Sequence, residues 1–120
     1  MGYRSKVIVG VAMDNIHSNE FDELLRKNGY KPEKSSDFLK IDDVDGYKTY
    51  TFDFIKWNDH EDWCKEIMNW LDDKQDENEQ SCWCVGLGEM GELHSEVGDY
   101  WDFVDVVRDI ELTHQKHKNL

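Results

Sequence analysis

An α+β domain is predicted by three features of this 120-residue sequence. The β-branched run Val7-Ile8-Val9-Gly10-Val11-Ala12 reads as a central strand buried on both faces. Asp45-Gly46, set between two β-rich runs, is a strong short-range hairpin signal. Two amphipathic segments, one after the first strand and one after the hairpin, carry apolar residues at helical spacing.

The elements follow in order. Ser18 or Asn19 is the expected N-cap of the first helix, with Glu20, Asp22 and Glu23 suited to the positive end of its dipole. Phe21, Leu24 and Leu25 form its apolar stripe, and Gly29 followed by Pro32 is its stop. Phe38 to Ile41 and Tyr47 to Trp57 flank the Asp45-Gly46 turn. In the second run Tyr50, Phe52 and Phe54 alternate with Thr49, Thr51 and Asp53. Asn58 and Glu61 have capping-box spacing, and Trp63, Ile67, Trp70 and Leu71 make the stripe of a second helix. Residues 72–80 read as a polar loop. Cys82 to Gly88 reads as a strand, and Val104 to Leu112 as the last strand, with Val104, Val106, Ile110 and Leu112 on one face. Leu93, Val97, Tyr100, Val104 and Val107 also fit a helix, but Gly98 and the β-branched content favour strand.

The resulting β-α-β-β-α-β order is the split βαβ, or ferredoxin-like, order: two helices on one face of an antiparallel sheet, with an extra C-terminal hairpin element. A chain of this length forms one domain, expected over residues 1–113, with a mobile tail over 114–120. Five Trp, five Tyr and five Phe supply large apolar units for a core.

Charge is distributed unevenly along the chain. Residues 1–56 carry nine Lys/Arg and ten Asp/Glu, whereas residues 57–120 carry five and seventeen. The formal net charge of −13 opposes direct binding of nucleic acid or anionic lipid. No apolar run approaches the roughly 20 residues of a membrane span. Cys64, Cys82 and Cys84 are an odd set without a secreted disulfide pattern, so a cytoplasmic location is expected.

The motifs that could carry chemistry have plainer readings. Gly86-Leu87-Gly88-Glu89-Met90-Gly91 spells G-x-G-x-x-G, yet acidic neighbours would repel a pyrophosphate and no Lys or Arg occurs from 75 to 107. It reads as a strand ending in a glycine-bearing turn. Cys82 and Cys84 with Cys64, His60 and His94 lack the usual zinc spacing, and they read as buried thiols. His114 and His117 fall in the tail. Asp42, Asp43, Asp45 and Gly46 resemble part of a calcium loop, but position 52, where its bidentate Glu belongs, is Phe. No G-x-S-x-G elbow or neighbouring Cys/His pair is present. No metal, cofactor or catalytic residue is expected.

The acidic series remains. Asp72, Asp73, Asp76, Glu77 and Glu79 beyond the second helix, with Glu89, Glu92, Glu96 and Asp99, are the expected partner-binding residues. Carboxylates spread over a folded surface can imitate the charge of DNA and steer encounter with a basic channel. Trp57, Trp63, Trp70, Trp83, Tyr100 and Trp101 are interleaved with them and add candidate interface anchors.

Tyr3-Arg4-Ser5-Lys6-Val7-Ile8-Val9, Gly88-Glu89-Met90-Gly91-Glu92 and Val107-Arg108-Asp109-Ile110-Glu111-Leu112 resemble segments of small acidic accessory proteins of tailed phages. That resemblance implies a host-defence inhibitor of the anti-restriction or anti-CRISPR type, acting in a bacterial cytoplasm on a basic, nucleic-acid-handling host protein. It assigns no residue a role. Two alternatives are a module that binds or sequesters a nucleotide signal, using cations among Arg4, Lys6, Arg26, Lys27 and Arg108, and a homo-oligomeric accessory protein joined through sheet edges.

Overall fold

The computed structural model describes residues 4–13, 17–57, 61–75, 81–88, 91–106 and 110–112. Their elements are β1 (Ser5–Ala12), α1 (His17–Lys27), β2 (Leu39–Val44), β3 (Tyr47–Ile55), α2 (Asp62–Gln75), β4 (Cys82–Gly88), β5 (Leu93–Val97), a short 3₁₀ turn (Tyr100–Asp102), β6 (Val104–Val106) and β7 (Ile110–Leu112). The first five strands form one antiparallel sheet in the order β2-β3-β1-β4-β5, and β6 and β7 pair separately. The protein is thus α+β, with two helices and a five-stranded antiparallel sheet. Among the described residues no helix is long and apolar enough to cross a membrane.

Local signals explain the best-defined joints. Asp45 and Gly46 both have positive φ, 49° and 87°, between the paired residues Val44 and Tyr47. This is the two-residue primed turn whose twist matches that of its strands. At the end of α1 the Tyr30 N–H donates to the Leu25 carbonyl (2.9 Å) and the Gly29 N–H to the Arg26 carbonyl (3.1 Å), with Gly29 at φ 89°. These are the two bonds of a Schellman stop, which favours glycine at the left-handed position.

Each face of the sheet has its own core. On the helical face Val7, Val9 and Val11 pack with Phe21 and Leu25 of α1, Ile67 and Leu71 of α2, and Cys82 and Cys84 of β4. On the other face Ile8, Val44, Trp83 and Val85 pack with Tyr100 and Val104. Trp83 and Phe103 stack with their rings 5.0 Å apart and 3° from parallel. The 3₁₀ turn and β6 therefore cover half of the sheet's second face.

Several expectations are corrected. In place of one strand over 104–112 there are two, Val104–Val106 and Ile110–Leu112, paired with each other, and Val104 packs with Trp83 and Val85. The preference for strand over helix holds at Leu93–Val97, which form β5 paired with β4, a strand not itself among those expected. Ser18 and Asn19 lie inside α1 rather than capping it, since His17 already packs edge-on against Trp70 of α2 at 6.4 Å. Asp72 and Asp73 belong to the last turn of α2, not to a loop. Burial of Leu71 and the Lys74–Glu20 ion pair (3.4 Å) extend the helix that far. The Asn58–Glu61 capping box, the loop over 76–80 and the tail over 114–120 lie outside the described residues.

Candidate functional site

Sheet order separates the two halves of the sequence in space, although β4 and β5 themselves carry one carboxylate, Glu96. β4 and β5, from the acidic half, form one edge, while the β2–β3 hairpin forms the other. α2 packs against both β4 and β5. Its C-terminal end is fixed to the start of β4 by the Cys82 thiol, which donates to the Leu71 carbonyl at 3.4 Å. Cys84 in turn pairs with Val97. Asp72 and Asp73 therefore share one end of the sheet with Glu96 and Asp99, and all four are exposed. Glu92, also exposed, begins the other end of β5. Asp76, Glu77, Glu79 and Glu89 lie outside the described residues.

Exposed apolar groups lie on the same acidic elements. Trp101 is 62% exposed and Leu93 37%. Trp101 stands edge-on to Tyr100 at 5.1 Å, and the Tyr100 hydroxyl donates to Glu96. That hydrogen bond, with some burial, pushes the Tyr100 pKa up to about 12. The other tryptophans divide differently. Trp57 and Trp83 are buried, and Trp63 and Trp70 are half-buried against the helical-face core. Two cores absorb most of the aromatics, so Trp101 is the tryptophan left for an interface.

A polar centre not expected from the sequence holds β5 in place. Residues 95 and 96 of β5 lie opposite the single Val85 of β4, a β-bulge, and Ser95 has φ 55°. The Trp57 indole N–H donates to Ser95 Oγ at 2.9 Å. His94 meets Ser95 Oγ through Nδ1 (3.0 Å) and Ser5 Oγ through Nε2 (3.1 Å). Ser95 Oγ, which accepts the indole proton, can donate its own to Nδ1, and the imidazole then presents its Nε2 proton to Ser5 Oγ. A Cβ on Gly86 would overlap the His94 ring, so glycine there gives the imidazole its seat. The only sequence trace of this centre is that glycine.

Burial holds the His94 pKa below the ordinary histidine value, against the opposite pull of Glu92. An unfolded histidine takes up its proton near about pH 6.5, whereas His94 in the fold does so only at lower pH. The unfolded state thus binds more protons in that window, and stability falls as pH drops through it. His94→Gln is expected to flatten this fall, as read from urea midpoints between roughly pH 7 and pH 5. An unchanged slope would remove His94 as its source.

Among the described residues no three His, Cys, Asp or Glu side chains converge as a metal site. All three cysteines are buried, and burial raises the Cys84 pKa far above the thiol range. Gly86 and Gly88 belong to β4, and Gly91 (φ 84°) donates its N–H to the Gly88 carbonyl in the connection to β5. The glycine motif thus joins two strands and opens no helix.

The cations named for an anionic ligand are dispersed. Arg26 pairs with Glu23 and Glu33, and Lys27 with Glu66 at 2.6 Å. Lys6 lines a depression on the open half of the second sheet face with Lys40 and Thr51. Arg4 lines a separate groove with Tyr30, Phe38 and Trp63. Arg108 lies outside the described residues. Comparison with known proteins finds no matching family model, no matching curated protein and no matching solved structure.

Proposed function

We propose that this chain is a non-catalytic binding protein that engages a basic partner through the acidic edge formed by the end of α2, β5 and the 3₁₀ turn. The observation that carries the reading is Trp101, a large apolar ring exposed two residues from Asp99 and edge-on to Tyr100, whose hydroxyl binds Glu96 of β5. Interfaces draw most of their energy from a few such rings within a polar rim, and the rim charges set partner choice and encounter rate. The partner of this chemistry is a nucleic-acid-handling protein with a basic channel, and a bacterial cytoplasm is where a phage-type inhibitor would meet it. Nucleic acid itself would be repelled. Edge-to-edge pairing of copies is opposed by the bulge at Ser95 and the charge of Glu96 on β5.

A ferredoxin-like reading of the fold belongs with this proposal. It is supported by two helical crossovers, β1-α1-β2 and β3-α2-β4, each joining parallel strands with one antiparallel strand between them. β5 and the β6–β7 hairpin are additions to that plan.

The test is capture of nucleic-acid-binding proteins from bacterial lysate by the purified chain, followed by competition with duplex DNA. The captured protein should elute as salt is raised and be displaced by DNA. Trp101→Ala should cost about 2 kcal/mol of binding, roughly thirtyfold, and Glu92→Lys with Glu96→Lys and Asp99→Lys should abolish capture while the chain still unfolds cooperatively. Capture that neither DNA nor these substitutions disturb would refute the acidic-edge reading.

A further inference from the structure

Away from the acidic edge, the start of β1, the end of β3, the loop after α1 and the start of α2 enclose a groove of about 430 Å³. Small-molecule sites span roughly 300–1,000 Å³ and combine ring faces with a few convergent polar groups. Here Tyr30 and Trp63 form one wall, their rings 5.4 Å apart. Both are wedged from behind: Tyr30 stands edge-on to Phe52 at 5.5 Å, and Trp63 edge-on to Trp57 at 5.3 Å. These rings are fixed before any ligand arrives, which reduces the ordering cost of binding.

Phe38 lines the same groove and is 56% exposed. Its backbone is nonetheless pinned, since the Asp53 N–H donates to the Phe38 carbonyl at 2.9 Å and the Ser36 N–H to the Leu39 carbonyl at 2.7 Å. More than half of this residue's surface is left in water. Two cations, Arg4 and Lys56, also line the groove, against one carboxylate, Glu61. Lys56 is exposed and enters no ion pair among the described residues. Aromatic walls alone would equally suit a cationic ligand. Lys56, exposed at the groove, turns the preference to an anion.

We infer that this groove binds a free nucleoside monophosphate, with the base against Phe38, Tyr30 and Trp63 and the phosphate toward Arg4 and Lys56. Base–aromatic stacking is tolerant of base identity, and Arg and Lys are the usual phosphate partners. A long strand is disfavoured because the chain's net charge of −13 repels a polyanion beyond the groove. The groove lies apart from the acidic edge, so the inference stands independently of the partner reading above.

The experiment titrates AMP, GMP, CMP and UMP into the purified chain and follows tryptophan emission and thermal unfolding. At least one should saturate and raise the unfolding midpoint by several degrees at about a hundredfold excess over its Kd. The matching nucleoside and inorganic phosphate should each bind at least about tenfold more weakly, as the ring and the charge contribute separately. Phe38→Ala and Lys56→Glu, both at exposed positions, should each weaken binding about tenfold or more and leave the midpoint of the ligand-free protein unchanged. The inference is overturned by no saturable response to any of the four, by phosphate binding as well as the nucleotide, or by affinity unchanged in both variants.

Discussion

Gly10→Ala is expected to lower stability by about 3 kcal/mol, a large loss for one added methyl group. Gly10 lies in β1, paired with Thr49 on one side and Trp83 on the other. A Cβ built there would overlap Cε2, Cζ2 and Nε1 of the Trp83 indole. The indole has no room to retreat. It is fully buried, stacked on Phe103 and edged by Tyr47 at 6.2 Å. Relief would require lifting the β6 segment from the second face, exposing Ile8, Val85 and Val104. Urea unfolding should show the lowered midpoint, and native tryptophan emission should shift to the red. Gly86→Ala is the milder comparison: its Cβ would meet the His94 ring, which is only half-buried on an edge strand and can turn aside at the cost of its bonds to Ser5 and Ser95. A Gly10→Ala variant as stable as the parent would mean that the second face is not packed as described.

Asp22→Ala is expected to cost about 3 kcal/mol, through a different mechanism. Asp22 is a buried carboxylate of α1 turned toward the sheet. Lys48 Nζ donates to its Oδ2 at 2.9 Å and Oδ1 at 3.1 Å, and the Tyr50 hydroxyl donates to Oδ1 at 2.5 Å. Burial and this carboxylate raise the Tyr50 pKa far above the usual phenol value, which keeps it a donor at any working pH. Removing Asp22 strands a lysine charge and a phenol beneath the helix. The loss is mainly that stranding, so Asp22→Leu combined with Lys48→Met and Tyr50→Phe should recover most of it. Urea midpoints of the single and triple variants test this. A single variant within about 0.5 kcal/mol of the parent would show that the three groups do not act as a unit.

Asp22 also shows where sequence reading stops. In the sequence it is one of three acids suited to the start of a helix. Which of them turns inward depends on β3, twenty-six residues away, presenting Lys48 and Tyr50 on the helical face. β5 escaped notice for a similar reason. Its alternation is broken by the bulge at Ser95 and Glu96, and the partners that hold the bulge, Trp57 and Ser5, come from other strands' ends. The groove of Arg4, Tyr30, Phe38, Lys56 and Trp63 draws on four separate segments with no common spacing.

The sequence by itself determined what short-range chemistry dictates. The Asp45-Gly46 turn, the Gly29 stop, the apolar stripes of both helices and the doubly buried β1 follow from backbone sterics and hydrophobic period. Tertiary structure decided what depends on distant segments meeting. It divided the aromatics between two cores, left Trp101 and Phe38 in water, and set β4 and β5, from the acidic half of the sequence, opposite the β2–β3 hairpin. Charge along a chain becomes a charged edge only when strand order separates the halves, and no local pattern encodes that order.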